Sequence, residues 1–567
     1  MATLETPPQV IPELSPLQRW SLACSRAIDG FEGNPGRVLF GVSLLYFTLV
    51  IPLALIKLLW ADELITFYIA KLNSVRAVWD ALSLGADPNP PGSHLLVMWS
   101  MRLFGDSALA ARLPAILASW VGVVCLFLFL KKRVPVIYAA TGACFFMSTA
   151  AFNYSYESRS YAMVLGFAML SLVLWRASIE GDHPVWAAVG LSVALAAGLS
   201  SNYFAVLAFF PIAGGELVRS IERRKADLRI WLALAIASLP ILVYLPLINH
   251  AIKTFGPHAW NKPTPDFLTD AYEEMIEVIL WPALAILAAA AVTWLYQRKA
   301  RGYARASVLP RYEMVAVLVN MAYPFIAYAI AVARAGMISP RFVIPMSYGF
   351  AIAAVVAWYR MFGRQGLAAA FLLLLCFSWA VSRDGVCAYD YLAQRAAFNH
   401  VRDSLPQTNT IAVSDSLLVL PLHYYSPPQV ASHLVFPLDF KAIHKYKGED
   451  SLEQNLWAGR QFFPVPLVSL QQLENNMQDY MIVTTTGNWL LQKLEADGDP
   501  AHLLPIYPDS SDIRGFTPLC HGDVFMFEMG DALGNGDRYA SNRSSKVKAA
   551  NTMSPREQSP KRTGISQ

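Results

Sequence analysis

Residues 38–60 read VLFGVSLLYFTLVIPLALIKLLW, and Ala61-Asp62-Glu63 follow at once. At about 1.5 Å per helical residue, such a run crosses the hydrocarbon core of a bilayer. Two adjacent carboxylates cannot enter that core cheaply, so they mark where the span stops. Ten further apolar runs follow, near 112–130, 134–151, 161–176, 185–201, 203–218, 230–249, 275–296, 313–333, 341–358 and 366–381. The chain therefore reads as a polytopic α-helical membrane protein of about eleven spans. A shorter apolar run at 95–103 reads as an interfacial helix.

Composition agrees. Apolar residues make up 55% of the 567 residues and charged ones 15%, against about 45–50% and about 25% in soluble proteins. That excludes a soluble enzyme and a disordered chain. A net charge of +4 is small for a nucleic-acid binder, and the six cysteines show neither zinc nor CxxC spacing. The sequence contains no P-loop or Rossmann fingerprint.

The positive charges sort by loop. One alternate set (131–133, 176–184, 219–229, 297–312, 359–365) carries 16 Lys and Arg in 46 residues. The other (61–112, 152–160, 250–274, 334–341) carries 9 in 94. The denser set is expected in the cytoplasm, together with residues 1–37, in which no cleavable signal peptide is visible. The second set and the C-terminus then lie outside.

After 381 the composition changes. Residues 382–532 mix β-rich runs (410–414, 480–486, 524–528) with helical stretches (391–405, 489–496), as in a small extracytoplasmic α/β domain. Cys387 and Cys520 are its two cysteines and suit a disulfide in an oxidising compartment. Residues 533–567 read as a disordered basic tail, with seven Lys or Arg and one acid from Arg538 onward.

The remaining polar residues cluster in the less basic loops. On a helix Asp62 and Glu63 point about 100° apart, so they should not share one role. One reading makes them acids favoured by a helix N-terminus, the other makes them reactive. The segment 64–84 reads as an amphipathic helix on the membrane surface. Asp87-Pro88-Asn89-Pro90-Pro91-Gly92 is a rigid turn. Ser155-Tyr156-Glu157-Ser158-Arg159-Ser160-Tyr161 sets an acid and a base two apart, either as a self-neutralising pair or as site residues. In Ser339-Pro340-Arg341-Phe342 the arginine sits where it can snorkel or hold a lipid phosphate.

Taken in order, Asp62-Glu63, the Pro90-Pro91 turn, Arg102–Ser107 (RLFGDS), Ala111–Pro114 (ARLP), Glu157–Ala162 (ESRSYA) and Ser339–Pro345 (SPRFVIP) form a series. The series resembles the GT-C superfamily of integral-membrane glycosyltransferases. Within it, the series is most similar to the protein mannosyltransferase and lipid A aminoarabinose transferase branch. The resemblance spans about residues 38–381.

It implies Asp62, with Glu63 and Glu157, as the catalytic acids. It implies Asn89, Arg112, Arg159, Tyr161 and Arg341 as the donor-binding set. Asn89 stands where the family has His before the two prolines, and Phe342 stands where it has Tyr. The implied reaction moves a sugar from a polyprenyl-phosphate donor to an acceptor hydroxyl on the extracytoplasmic face, with inversion. The acceptor is a glycolipid, a cell-wall polymer or a protein. The implied setting is a bacterial inner membrane. No cofactor is specified, and a divalent metal near the carboxylates has no dedicated ligand set. The competing expectation is a lipid-linked-sugar transporter or flippase. That reading calls for charges inside the spans rather than at their ends.

Overall fold

The computed structural model of the protein describes residues 29–275, 307–334, 336–476, 479–485, 488–498, 502–505 and 527–533, with isolated positions at 19–26 and 284–291. Among the described residues, seven helices are long and apolar enough to cross a membrane. They are Pro35–Ile56, Ala108–Lys131, Tyr161–Glu180, Pro184–Ser201, Tyr203–Arg223, Leu228–Phe255 and Gly366–Asp403. Two bent pairs raise the number to nine if each is one span. Val136–Met147 meets Ala150–Tyr156 at 76°, and Arg311–Met321 meets Tyr323–Arg334 at 57°. Of the other two runs expected from sequence, 341–358 forms the helix Met346–Phe362 of 17 residues. The run 275–296 lies almost wholly outside the described residues.

The first bend has a local cause. Ser148 Oγ donates to the Cys144 carbonyl at 2.7 Å and Thr149 Oγ1 to that of Phe146 at 2.7 Å. Such back-bonding competes with the helical ladder and bends it. At the second, Pro324 lacks the N–H that would continue the helix.

The basic loops are tied together at one end of the bundle. Arg133 reaches Glu180 at 2.5 Å and Glu313 at 2.7 Å, and Glu313 also holds Arg176 at 2.7 Å.

At the opposite end, three short helices sit between the spans and the soluble domain: Ala61–Ala70, Val75–Ser83 and Pro91–Phe104. The single surface helix expected over 64–84 is thus two helices. The first is almost entirely buried, because the soluble domain covers it: the Phe67 and Tyr424 rings meet edge-on at 5.4 Å. Only Val75–Ser83 keeps a wet face, where Arg76 pairs with Asp80 at 3.0 Å. Pro91–Phe104 opens on the proline turn and crosses close to the span Pro184–Ser201. A Cβ on Gly92 would meet the Ser200 carbonyl oxygen at 2.3 Å, so only glycine permits that approach.

The helix Gly366–Asp403 runs from the apolar bundle into the soluble domain and merges the span expected at 366–381 with the helix expected at 391–405. A six-stranded sheet follows, in the order β3-β2-β1-β4-β6-β5. Its strands are β1 (Thr410–Val413), β2 (Leu434–Leu438), β3 (Leu467–Ser469), β4 (Asp479–Thr485), β5 (His502–Pro505) and β6 (Phe527–Leu533). The first four are parallel, and β6 runs antiparallel to β4 and β5. All five residues of β2 are buried, as in a sheet covered on both faces. Cys387 is disulfide-bonded. Cys520, its partner in the sequence reading, lies outside the described residues, as do 1–18 and the tail 534–567. Cys125, Cys144 and Cys376 are free and buried.

Candidate active site

A cavity of about 870 Å³ lies between the bundle and the soluble domain. On the bundle side it is lined by Lys57, Asp62, Asp87, Glu157, Arg159 and Arg341, with Asn89, Tyr161, Trp260 and Phe342 between them. Five separate segments thus deliver charge to one space.

Asp62 starts the helix Ala61–Ala70 and keeps 15% of its side chain exposed. Its Oδ2 lies 3.5 Å from Arg159 Nη2 and 3.6 Å from Arg341 Nη1. Arg159 is the hub. Its Nη1 donates to Asp87 Oδ2 at 2.8 Å, to Thr66 Oγ1 at 3.1 Å and to the Asp62 carbonyl at 3.1 Å. Burial alone would raise the Asp87 carboxyl. The Arg159 guanidinium and nearby His94 outweigh it and hold Asp87 well below the usual carboxylate range. The other oxygen of Asp87 caps the turn, accepting from Asn89 N at 2.8 Å and Asn89 Nδ2 at 2.6 Å. Asn89 in turn accepts from Asn202 Nδ2 at 3.2 Å, so this residue ties the proline turn to the bundle.

Glu157 is extended rather than helical, at φ −112°. Of the two readings of its loop, the self-neutralising acid–base pair does not form. Glu157 instead pairs with Lys57, at the end of the first span, and Arg159 turns to Asp62 and Asp87. Lys57 lies 5.4 Å from the Tyr391 ring centre and 5.6 Å from that of Tyr156.

Arg341 follows Pro340 in a single 3₁₀ turn and is the least enclosed cation of the set, with 21% of its side chain exposed. Its guanidinium lies 5.7 Å over Tyr161 and 5.2 Å over Trp260, within cation–π range. Its Nε–H has no hydrogen-bond partner among the described residues. Phe342 stacks on Phe204, with centroids 4.2 Å apart.

Two of the expected site residues do not line the cavity. Glu63 and Arg112 are fully enclosed and grip each other as a two-point fork, Nε–Oε1 at 2.8 Å and Nη2–Oε2 at 2.6 Å. Arg112 also donates to the carbonyls of Ala54, Lys57 and Leu58 at the end of the first span. The Ser158 N–H donates to Glu63 at 2.6 Å. Burial pushes the Glu63 carboxyl up, but Arg112, Lys57 and that N–H together hold it below its ordinary value. The pair fastens the first span to both loops that build the site. His94 is also enclosed, 3.6 Å from Asp87.

Lys57, Asp87 and the soluble-domain residues are the functional candidates that sequence reasoning passed over. In the sequence Lys57 falls inside the run 38–60, though a lysine three residues from a span's end is a visible signal, and Asp87 falls in the proline turn. Among the described residues, no three His, Cys, Asp or Glu side chains are grouped to hold a metal ion.

A helical bundle, a polar chamber built by its inter-span loops and an α/β domain above it make up the described part of the chain. Residues 88–247 match the family model described as dolichyl-phosphate-mannose-protein mannosyltransferase. The crystal structure of ArnT from Cupriavidus metallidurans in the apo state has a TM-score of 0.52 at 12% identity, covering 88% of this chain and 98% of that one. This establishes the ArnT fold. The same protein bound to undecaprenyl phosphate scores 0.48 at 13% identity, with the same coverage. The Archaeoglobus fulgidus oligosaccharyltransferase, in complex with zinc and sulfate, scores 0.40 at 11%, covering 79% and 68%. No curated protein matches the chain in sequence.

Proposed function

We propose that the protein transfers a sugar from a polyprenyl-phosphate donor to an acceptor hydroxyl, on the extracytoplasmic face of a bacterial inner membrane. One observation carries the reading: Asp62 is a partly exposed carboxylate on the cavity wall, held between two arginines. The family description over 88–247, which names a dolichyl-phosphate sugar, supports this class of donor.

Asp62 takes the proton of the acceptor hydroxyl as the oxygen attacks the anomeric carbon. Attack from the side opposite the phosphate inverts that carbon. Arg341, with a free N–H and an open face, offsets the charge growing on the leaving phosphate. Arg159, whose two Nη groups are engaged by Asp62 and Asp87, positions the base. Glu157 is held through Oε1 by Lys57 at the cavity wall, whereas Asp62 keeps the more exposed carboxylate, beside Arg341. Tyr161 supports Arg341 from below.

Asp62→Asn keeps shape and removes basicity. Single-turnover transfer should fall by about 10²–10⁴-fold, with binding of undecaprenyl phosphate retained. Full transfer by Asp62→Asn would remove the base assignment. No transfer by the wild type, alongside transport of the lipid-linked sugar, would favour the flippase. The orientation has its own test. Lys441 is exposed on the soluble domain, and Lys441→Cys should react with a membrane-impermeant thiol reagent in intact cells. Reaction only after lysis would invert the topology.

A further inference from the structure

We propose that the soluble domain supplies the acceptor half of the cavity, a wall that takes an uncharged, hydroxyl-rich group such as a sugar or polyol. This rests on the glycosyl-transfer reading and adds the chemistry of the acceptor side.

The first observation is topological. From β1 the chain moves to β2 and β3 on one side, then returns to place β4 on the other side of β1. The order therefore reverses between β1 and β4. In open parallel sheets the connections leave in opposite directions at such a point and open a crevice at the carboxyl ends of the two strands, where ligands bind. Ser414-Asp415-Ser416 follow β1 directly, and Asn488-Trp489 follow β4. All five line the cavity that Asp62 lines from the other side. The crevice opens onto the reacting groups rather than onto bulk solvent.

The second observation is chemical. Glu453 is 1% exposed and lines the cavity; Lys447 donates to its Oε1 at 2.8 Å, the Ser416 hydroxyl lies against the carboxylate, and its Oε2 has no partner in good hydrogen-bond geometry among the described residues. Asn455 Oδ1, two residues on, is in the same state. Both are acceptors, so they call for hydroxyl donors. Among the described residues of this wall the one cation is Lys447, already engaged by Glu449 at 2.6 Å and Glu453 at 2.8 Å. With Asp415 added, the wall carries three acids against one base. It disfavours phosphate, whereas on the bundle side Lys57, Arg159 and Arg341 balance Glu157, Asp87 and Asp62, and Arg341 is the most exposed cation of the cavity's bundle wall. The two walls thus divide the ligands: the anion to the bundle, the hydroxyls to the soluble domain. Trp489 is held by its Nε1–H on the Ser414 carbonyl at 3.3 Å and fixes the crevice's shape.

The test uses the full chain in nanodiscs and tryptophan fluorescence, with three probes: methyl hexopyranosides, hexose phosphates and undecaprenyl phosphate. The methyl glycosides should bind more tightly than the hexose phosphates. Glu453→Gln should weaken the glycosides by about 10-fold or more, the value of a hydrogen bond to a charged acceptor. Asn455→Leu should weaken them several-fold, and both variants should bind undecaprenyl phosphate within about twofold of wild type. If the enclosed Glu453→Gln fails to fold, the half-buried Asn455→Leu carries the test. No glycoside binding by the wild type, or equal binding in a folded variant, overturns the proposal. Tighter binding of hexose phosphate overturns the charge argument with it. Loss of glycoside binding in the variants, with no undecaprenyl phosphate binding in any protein, keeps the wall and removes the donor reading instead.

Discussion

Asp62 and Glu63 are neighbours in the chain and opposites in use. Glu63 is enclosed, bound at 2.6 and 2.8 Å by one guanidinium and capped by a backbone N–H. Asp62 faces the cavity, with two guanidiniums at 3.5 and 3.6 Å, beyond good hydrogen-bond length. A carboxylate whose lone pairs are all taken by tight donors cannot accept a substrate proton. One loosely flanked by cations keeps lone pairs available. The helix geometry that turns adjacent side chains about 100° apart makes the division possible. The tight pair costs desolvation and is retained for position, since it fastens the first span to the loop carrying Glu157 and Arg159.

The comparison can be broken most directly by exchanging the two losses. Asp62→Asn should cost turnover by about 10²–10⁴-fold and leave thermal stability near wild type. Glu63→Gln leaves a buried Arg112 charge without its partner, which costs about 3–5 kcal/mol of stability. It should show as a lowered melting temperature and poor recovery from the membrane, with the folded fraction still active. A stable, inactive Glu63→Gln beside an active Asp62→Asn would reverse the roles.

Arg341 sharpens the same contrast from the cation side. Arg112 is saturated, whereas Arg341 has an N–H free and an open face. Arg341→Ala should weaken undecaprenyl phosphate binding by about 10- to 150-fold, the worth of a charge-assisted hydrogen bond. Arg341→Lys should restore only part, because an ammonium lacks the planar fork. Unchanged affinity in Arg341→Ala would leave Arg341 as an anchor at the bundle's edge.

Much of this was legible in the sequence, for physical reasons that also explain the rest. Spans are announced by length and apolarity, so each described apolar run found a helix. Loop acids and arginines stand out because they are rare in such a chain. That was enough to bring Asp62, Glu157, Arg159 and Arg341 into view. What sequence could not give was partner choice. Glu157 and Arg159, two apart, look like a pair until extended backbone and a buried lysine 100 residues away decide otherwise. Arg112 looks like a phosphate ligand until three carbonyls and Glu63 enclose it. In the soluble domain the β-rich runs 410–414 and 480–486 fall on β1 and β4, and the run 524–528 meets only the start of β6, with 524–526 outside the described residues. β2 and β3 lie among prolines and short apolar stretches that carry no period, so the crossover at β1 was hidden, and with it the crevice.

The smallest expected effect concerns Asp87, which stands between the two extremes. It lines the cavity, yet only 2% of its side chain is exposed, and Arg159 holds it at 2.8 Å. Its folded carboxyl is depressed, so it binds its proton more weakly folded than unfolded. The stability it contributes is present above the unfolded value of about 3.9 and is lost as pH falls below that toward the depressed folded value. Asp87→Asn should therefore melt below wild type by a nearly constant interval between pH 8 and about pH 5. Below about pH 4 the interval should narrow, as the unfolded wild-type chain takes up a proton that the folded one refuses. Arg159 keeps Asp62 in the variant, so transfer should fall less than in Asp62→Asn, through a base held in one place by fewer contacts. The measurement is a melting series across pH for both proteins, with single-turnover transfer at pH 7. An interval that stays flat to pH 3 would mean that Asp87 does not depend on its charge for its place. A loss of transfer equal to that of Asp62→Asn would move Asp87 from the support of the base to the reaction itself.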